Sequence, residues 1–341
     1  MSRSPREVSF RNEPPLRALA EVLDFLRLAI KQRRPYLASR PLGYLALSNV
    51  DRWLLARTLE VAAALETLLD HPDLEAVEGE VASLGRGMQD RYLPLCHARL
   101  LEGDSDADVR AGMTALFESL LWTARILLPF LPEASDEMFS LLAPHLAKPP
   151  AQVDHLPWPG ESEGELFDEK ILQEMATIFA VLDRGRALRE EAGVPLWQPL
   201  SLCILRPRSE SERQALLGNE GLLLRELGVK TAEIGADAER SAPEPVVELD
   251  LRLTPDLEDE GIARKVIEEA LALLRDARVR DQRLDLVCHG GRRIRRALDR
   301  HSDRVLDGTG VRRIVWSETG DGPSAVRFTV GDEEATVALS R

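Results

Sequence analysis

The amino-acid sequence predicts a multidomain protein in which an all-α helical bundle is followed by a small α/β unit and an α+β domain. Two observations predict this fold class. Up to about residue 195, apolar residues recur at three- and four-residue steps, and after Pro199 the period changes to the alternation typical of strands. The chain has 341 residues, 44% of them hydrophobic, which is enough for two or three domains.

The first two predicted helices have recognisable beginnings. The first follows a pair of prolines, and its apolar residues recur with a helical period. These residues are Leu16, Leu19, Val22, Leu23, Leu26 and Ile30. The second opens after Ser48, with Asn49 or Asp51 as the candidate N-cap, and ends near Pro72.

Prolines and polar runs divide the helices that follow. The third predicted helix covers about 73–101, and Pro94 should kink or split it. The next begins at a cap-like Asp-Ser-Asp run over 104–106 and extends to Leu128. A shorter helix follows over 133–143, because prolines interrupt the pattern before it.

The helical part ends in one long helix. A polar, proline-rich connection that includes Lys148 and Trp158 leads to an amphipathic helix over 167–192, with Gly193 as its C-cap. Long helices joined by short loops are typical of a bundle. We therefore predict one helical domain over residues 1–195.

A small β-α-β unit is predicted next. Residues 200–205 and 230–234 have strand patterns, and 210–227 between them has a helical one. We assign residues 196–243 to this unit, with a linker rich in small residues and proline at 235–245.

The last predicted domain covers residues 244–341 and is α+β. It contains a long helix over 257–278 and a shorter one near 293–304. Its predicted strands alternate apolar and polar residues and lie at 246–251, 284–288, 312–316, 325–330 and 334–339.

Charge and composition exclude several classes of protein. The formal net charge of −14 argues against a broad surface that coats nucleic acid, but it allows a local basic patch. No apolar run reaches membrane-spanning length, and the N-terminus has no apolar signal region, so we expect a cytoplasmic protein without a membrane partner. Cys96, Cys203 and Cys288 are too widely spaced to predict a disulfide framework or a metal site.

Five segments carry specific residue patterns. They are 50–57 (Val-Asp-Arg-Trp-Leu-Leu-Ala-Arg), 116–139 with Leu-Leu-Pro-Phe-Leu-Pro, 155–159 (His-Leu-Pro-Trp-Pro), 185–200 ending in Trp-Gln-Pro-Leu, and 253–264 with Glu-Asp-Glu-Gly-Ile-Ala-Arg. In this order and spacing they resemble the C-terminal half of isoleucyl-tRNA synthetase, of the type without a C-terminal zinc site. The resemblance implies an anticodon-binding-like bundle over 1–195, and tRNA of the isoleucine type as the partner.

The sequence departs from the family in one helix and one turn. Over 90–101, Tyr92 and Arg99 match the family, but leucine, proline and histidine replace other arginines, and two leucines replace an aromatic pair. Trp197 stands where the family has arginine before Gln-Pro-Leu. These changes remove charge that could face tRNA phosphates.

Motifs of the family's catalytic core are missing from these 341 residues. There is no His-x-Gly-His and no Lys-Met-Ser-Lys-Ser-like segment, which in the family contact ATP phosphates and the adenylate. The Gly-Gly pair after His289 is a turn rather than a phosphate loop. We therefore expect a chain that is not an enzyme on its own and needs no cofactor.

The candidate RNA-binding residues are arginines and aromatic residues that could contact phosphates or stack on bases. They are Tyr92, Arg99, Arg184, Arg186, Arg189, Trp197, Arg292, Arg296 and Arg300. The arginines before Gly193 could equally stabilise a helix C-terminus, and those after residue 291 could form a solvated helix face. Cys96 and His97 could form a nucleophile–base pair, but ordinary packing is the favoured interpretation.

Three functions remain open at this stage. The first is a non-catalytic, stand-alone tRNA-binding module related to isoleucyl-tRNA synthetase. The second is a protein-interaction module that regulates a synthetase or another protein. The third is a synthetase fragment that works with a separate catalytic subunit.

Overall fold

The computed structural model describes residues 13–33, 45–103, 105–146, 149–160, 168–236, 245–276, 284–320 and 325–340. Lys148, most of the predicted linker at 235–245 and the end of the helix predicted to reach 278 lie outside these residues. The chain divides into two compact units, Met1–Phe179 and Ala180–Arg341, called here the N-terminal and C-terminal units. The sequence-based boundaries at 195/196 and 243/244 stay predictions.

The N-terminal unit is a helical bundle. Its helices are α1 (Arg17–Arg33), α2 (Asn49–Glu66), α3 (Leu74–Arg86), α4 (Leu93–Glu102), α5 (Asp106–Leu127) and α6 (Pro132–Leu142). Helix α2 packs on α3 and α5, and α5 packs on α6. Trp53, Trp122 and Trp158 are buried in this unit.

Two helix boundaries differ from the predictions. Ser48, rather than Asn49 or Asp51, is the N-cap of α2, and Asp51 completes a capping box with it. The helix predicted over 73–101 changes type rather than splitting: a π-helical turn over Gly87–Tyr92 connects α3 to α4 without a break in the helical backbone. Pro94 is the second residue of α4, directly after this turn.

Helix α7 (Glu169–Glu191) matches the predicted long helix and runs into the C-terminal unit. There, β1 (Leu200–Arg206), α8 (Glu210–Gly218), α9 (Glu220–Leu227) and β2 (Val229–Ile234) form the predicted β-α-β unit, with β1 and β2 parallel. The predicted single helix between the strands is interrupted at Asn219.

Strand β3 (Val246–Leu249) pairs antiparallel with β1, with Cys203 opposite Leu249. The first sheet therefore has the order β2-β1-β3. Sequence patterns assigned this strand to the last domain, because alternation identifies a strand but not its neighbour.

The rest of the C-terminal unit is α+β, as predicted. It contains α10 (Pro255–Asp276), β4 (Asp285–Gly290), α11 (Arg292–Arg300), α12 (Ser302–Thr309), β5 (Arg313–Trp316), β6 (Val326–Val330) and β7 (Glu333–Ser340). The second sheet has the order β5-β4-β7-β6, and only the β4–β5 pair is parallel. Its core includes Ile262, Val266, Leu286, Leu298 and Val337. No helix in the described part of the chain is long and apolar enough to cross a membrane.

Candidate functional site

A buried polar cluster centred on Asp51 lies at the start of α2. The side chain of Asp51 is 0% exposed and accepts hydrogen bonds from the Tyr92 hydroxyl (2.8 Å), from both Arg99 Nη atoms (2.9 and 2.5 Å) and from Ser48. The Gly112 carbonyl oxygen lies 3.0 Å from the Tyr92 hydroxyl and is a second acceptor within reach of its single hydrogen. These bonds connect α2, the π-helical turn, α4 and α5, so we call the group the Asp51 cluster.

The environment of the Asp51 cluster shifts the pKa values of Tyr92 and Arg99. Burial raises the pKa of Tyr92 well above its usual value, and the negative charge of Asp51 adds to the rise. Burial alone would lower the pKa of Arg99, but its hydrogen bonds to Asp51 raise the pKa above the ordinary value. A Cβ on Gly112 would lie 2.7 Å from Arg99 Nη2, so only glycine leaves room for this guanidinium.

Two candidate RNA contacts are thereby corrected. Tyr92 is fully buried, and both Nη atoms of Arg99 are directed at Asp51, with Nη1 also 3.0 Å from Asp108. Their side chains hold the bundle together and are not presented to a ligand. The sequence could not separate an internal role from an RNA-binding role. A tyrosine or arginine inside the bundle and one that contacts RNA have the same sequence pattern.

Cys96 and His97 do not form a nucleophile–base pair. Cys96 is buried, and burial raises the pKa of its thiol to about 12. His97 is exposed, and its ring lies 5.3 Å from that of Phe25. The favoured interpretation, ordinary packing, agrees with this arrangement. Among the described residues, no group of three His, Cys, Asp or Glu side chains could hold a metal ion.

Arg189 is also an internal residue rather than a surface one. It is 3% exposed and donates to four main-chain carbonyls: those of Leu227 (2.8 Å), Pro195, Gln198 and Gly228 (3.0 Å each). Burial lowers the pKa of this guanidinium to about 10, and the nearby charge of Arg264 contributes to the decrease. Arg189 thus joins α7, the turn before β1 and the end of α9.

Arg184 and Arg186 remain accessible on α7. Arg184 donates to Glu191 at 3.0 Å, and Arg186 lies 3.6 Å from Glu226. Exposed pairs of this kind stabilise a protein little, so both guanidinium groups can exchange an acid partner for a phosphate. Trp197, expected to be exposed, is half-buried, and its indole packs against the core of the second sheet.

The arginines of α11 face the acidic start of α10. Arg296 Nη2 lies 2.6 Å and Arg300 Nη1 3.2 Å from the buried carboxylate of Asp259. Ile294, Leu298 and Val305 are buried in the core of this unit. The basic face is therefore paired within the unit and is not simply solvated. Arg292 is exposed and makes no ion pair with the residues that the structure describes.

One cluster of cations was missed by sequence reasoning. Lys230 Nζ, Arg264 Nη2 and Arg304 Nη1 all donate to the same Glu260 oxygen, at 2.6, 2.9 and 2.6 Å. Burial would raise the pKa of Glu260, but the hydrogen bond and charge of Lys230 and the charges of the two arginines lower it overall. From the sequence, the acidic residues 258–260 indicated only negative charge at the start of a helix. Nothing in the sequence shows that Lys230 and Arg304 lie beside them.

Comparison with known proteins supports the resemblance. Residues 51–204 match the family model of the anticodon-binding domain of tRNA ligase. The chain is 29% identical over 231 residues to the isoleucine–tRNA ligase of Deinococcus radiodurans, covering 67% of this chain and 20% of that protein. It is 24% identical over 246 residues to the enzyme of Dehalococcoides mccartyi, with 69% and 24% coverage. It is 25% identical over 289 residues to that of Haloarcula marismortui, with 84% and 25% coverage. The matched region thus spans a fifth to a quarter of these relatives' length.

Proposed function

We propose that this chain binds the anticodon side of a tRNA of the isoleucine type and does not itself catalyse aminoacylation. Its residues 51–204 match the family model of the anticodon-binding domain of tRNA ligase. The observation that carries the proposal is that family match. The match begins at Asp51, the centre of the buried cluster that holds the bundle helices together.

Few of the candidate residues are accessible for contacts with phosphates. Tyr92, Arg99 and Arg189 are internal, which leaves Arg184, Arg186 and the α11 arginines for phosphates. Most of these already have a carboxylate partner, and the chain carries a net charge of −14. RNA binding should therefore involve roughly two to four phosphates.

Fluorescence anisotropy with labelled tRNA across a salt series tests the proposal. We expect modest affinity, and a plot of log affinity against log salt with a slope of about −2 to −3. Changing Arg184 and Arg186 together to alanine should flatten this slope. Trp197→Ala should weaken binding with little change in slope, because stacking releases no counterions. Absence of binding by the wild type at about 50 mM salt would reject the proposal in favour of a protein partner.

The catalytic part of the proposal is tested separately. Because these 341 residues have no His-x-Gly-His or Lys-Met-Ser-Lys-Ser-like segment, we expect no isoleucine-dependent ATP–pyrophosphate exchange above background. The protein must be purified free of host synthetase, and a complete isoleucine–tRNA ligase serves as the positive control. Exchange that persists in such a preparation would contradict the expectation.

A second candidate function follows from the altered segment over 90–101. Proline, leucine and histidine stand there where the resemblance places arginines, which favours a protein-interaction or regulatory module. A neighbouring gene that encodes only a catalytic core would instead indicate a piece that works with a separate catalytic subunit. A pull-down from native lysate, analysed for RNA and protein together, distinguishes these functions, since each predicts a different co-purifying molecule.

A further inference from the structure

We propose that Lys230, Arg264 and Arg304 form a phosphate-binding site in the C-terminal unit that contacts the phosphodiester backbone of the bound RNA. This inference rests on the proposed function, because it names a second point of contact for the same partner. Lys230 and Arg264 were not candidates from the sequence, and Arg304 is the last residue of the basic run that begins at Arg292. We call the three cations and Glu260 the Glu260 cluster.

The geometry of the Glu260 cluster leaves positive charge in excess. Three cations from β2, α10 and α12 converge on one oxygen of one carboxylate. Glu260 is only 7% exposed, and its single negative charge is set against three positive ones. Cations that share one carboxylate are incompletely neutralised, so a further anion is attracted to them.

A fourth positive charge lies nearby. Arg189 bonds to main-chain carbonyls and has no carboxylate partner among the described residues. The pKa of Arg189 is lowered by burial and then by the charge of Arg264, which places the two guanidinium groups within electrostatic reach. Arg189 itself is buried, so it contributes to the local potential rather than to contact.

The arginines that face the start of α10 lack this excess. Arg293 pairs with Glu258, and Arg296 and Arg300 share Asp259 and Asp256, so the positive and negative charges balance. On α12, Asp303 and Asp307 are exposed, but neither pairs with the Glu260 cluster in the described part of the chain. Arg312 and Arg313 share Asp285, two cations to one carboxylate. The excess at Glu260, three cations to one carboxylate, is larger, on a chain whose overall charge is negative.

The cations are accessible to a ligand as large as a phosphate. The side chain of Lys230 is 40% exposed and that of Arg304 is 44% exposed. Guanidinium groups hold phosphate oxygens through paired hydrogen bonds, and an ammonium group acts as a point charge. The competing interpretation is that the cluster only fastens β2, α10 and α12 together. That interpretation predicts an effect on stability and none on RNA binding.

The test is a double variant with a charge-matched control. Lys230→Gln with Arg304→Gln removes two cations of the cluster and leaves the Arg264–Glu260 pair. Arg206→Gln with Arg252→Gln removes the same charge from pairs in which each cation has its own carboxylate, Glu248 and Asp250. Affinity for labelled tRNA should fall about tenfold at low salt for the first variant, and its salt slope should decrease by about 2. The control variant should stay within about twofold of wild type in the same titration.

A second variant keeps the test informative if the first is destabilised. Glu260→Gln removes the competing carboxylate and leaves all three cations, so tRNA should bind about threefold or more tightly than to wild type at low salt. Circular dichroism checks that each variant is folded. If the double variant matches the control, or if folded Glu260→Gln binds no better than wild type, the inference is wrong although tRNA binding stands.

Inorganic tripolyphosphate separates the failure of this inference from that of the proposed function. If wild type binds tripolyphosphate and the double variant does not, but neither binds tRNA, the proposed function fails and the anion site stands without its RNA partner. If wild type binds neither probe, both proposals are rejected.

Discussion

Replacing Asp51 with alanine is expected to lower the free energy of unfolding by about 4 kcal/mol. The change leaves the half-buried Arg99 guanidinium without its main partner and removes the Asp51 acceptor from the buried Tyr92 hydroxyl. It also removes the capping box at the start of α2. Urea denaturation followed by circular dichroism measures the effect.

Asp108→Ala is the matched control. Asp108 also bonds to Arg99 Nη1, at 3.0 Å, but its side chain is 45% exposed. Its loss should cost less than about 1 kcal/mol, since water and Asp51 still solvate the guanidinium. If both variants lowered the free energy of unfolding equally, the burial of Asp51 would not explain why the Asp51 cluster stabilises the bundle.

Replacing Arg189 with methionine is expected to destabilise the C-terminal unit by about 3 kcal/mol. Methionine fills much of the space but donates no hydrogen bond, so four carbonyls around α9 and β1 lose a donor. Thermal and urea denaturation measure this loss. The internal position of Arg189 also predicts that the salt slope of RNA binding is unchanged under conditions where the variant is folded.

Arg186→Met is the control for Arg189. Arg186 lies three residues earlier on the same helix and reaches Glu226 only at 3.6 Å. It should have little effect on stability and should flatten the salt slope. If Arg189→Met left stability unchanged and flattened the slope instead, Arg189 would be an RNA contact and its assignment as an internal residue would be wrong.

Most of the fold was predictable from local patterns. The helical period identified α1 and α7, which bury mainly one face. The long apolar pattern identified α5, which is buried on most sides. Alternation identified the strands of both sheets. Pro94 predicted an irregularity in the helix over 73–101, since a proline cannot donate within a helix, and a π-helical turn ends directly before α4.

What could not be predicted depends on contacts between distant parts of the chain. Tyr92 lies 41 residues from Asp51 in sequence, and Arg304 lies 44 from Glu260. No local pattern shows whether an arginine meets a buried carboxylate, a set of carbonyls or solvent. The candidate list therefore mixed internal residues such as Arg99 with accessible ones such as Arg184.

The same limit applied to sheet pairing and to caps. Strand β3 was recognised as a strand from its alternation. That pattern does not show that it pairs with β1, where Cys203 lies opposite Leu249. Ser48 was passed over as the N-cap of α2 in favour of its neighbours, although the Ser-x-x-Asp spacing resembles a capping box.

Hydroxyl-radical footprinting of an isoleucine-type tRNA bound to this chain tests the central claim most directly, because it reports which riboses the protein covers. We expect protection of the anticodon stem and loop, with the acceptor end cleaved as in free tRNA. Protection should be lost as salt is raised, since phosphate contacts are screened and displaced by cations. Absence of any protection, or protection confined to the acceptor end, would contradict the account.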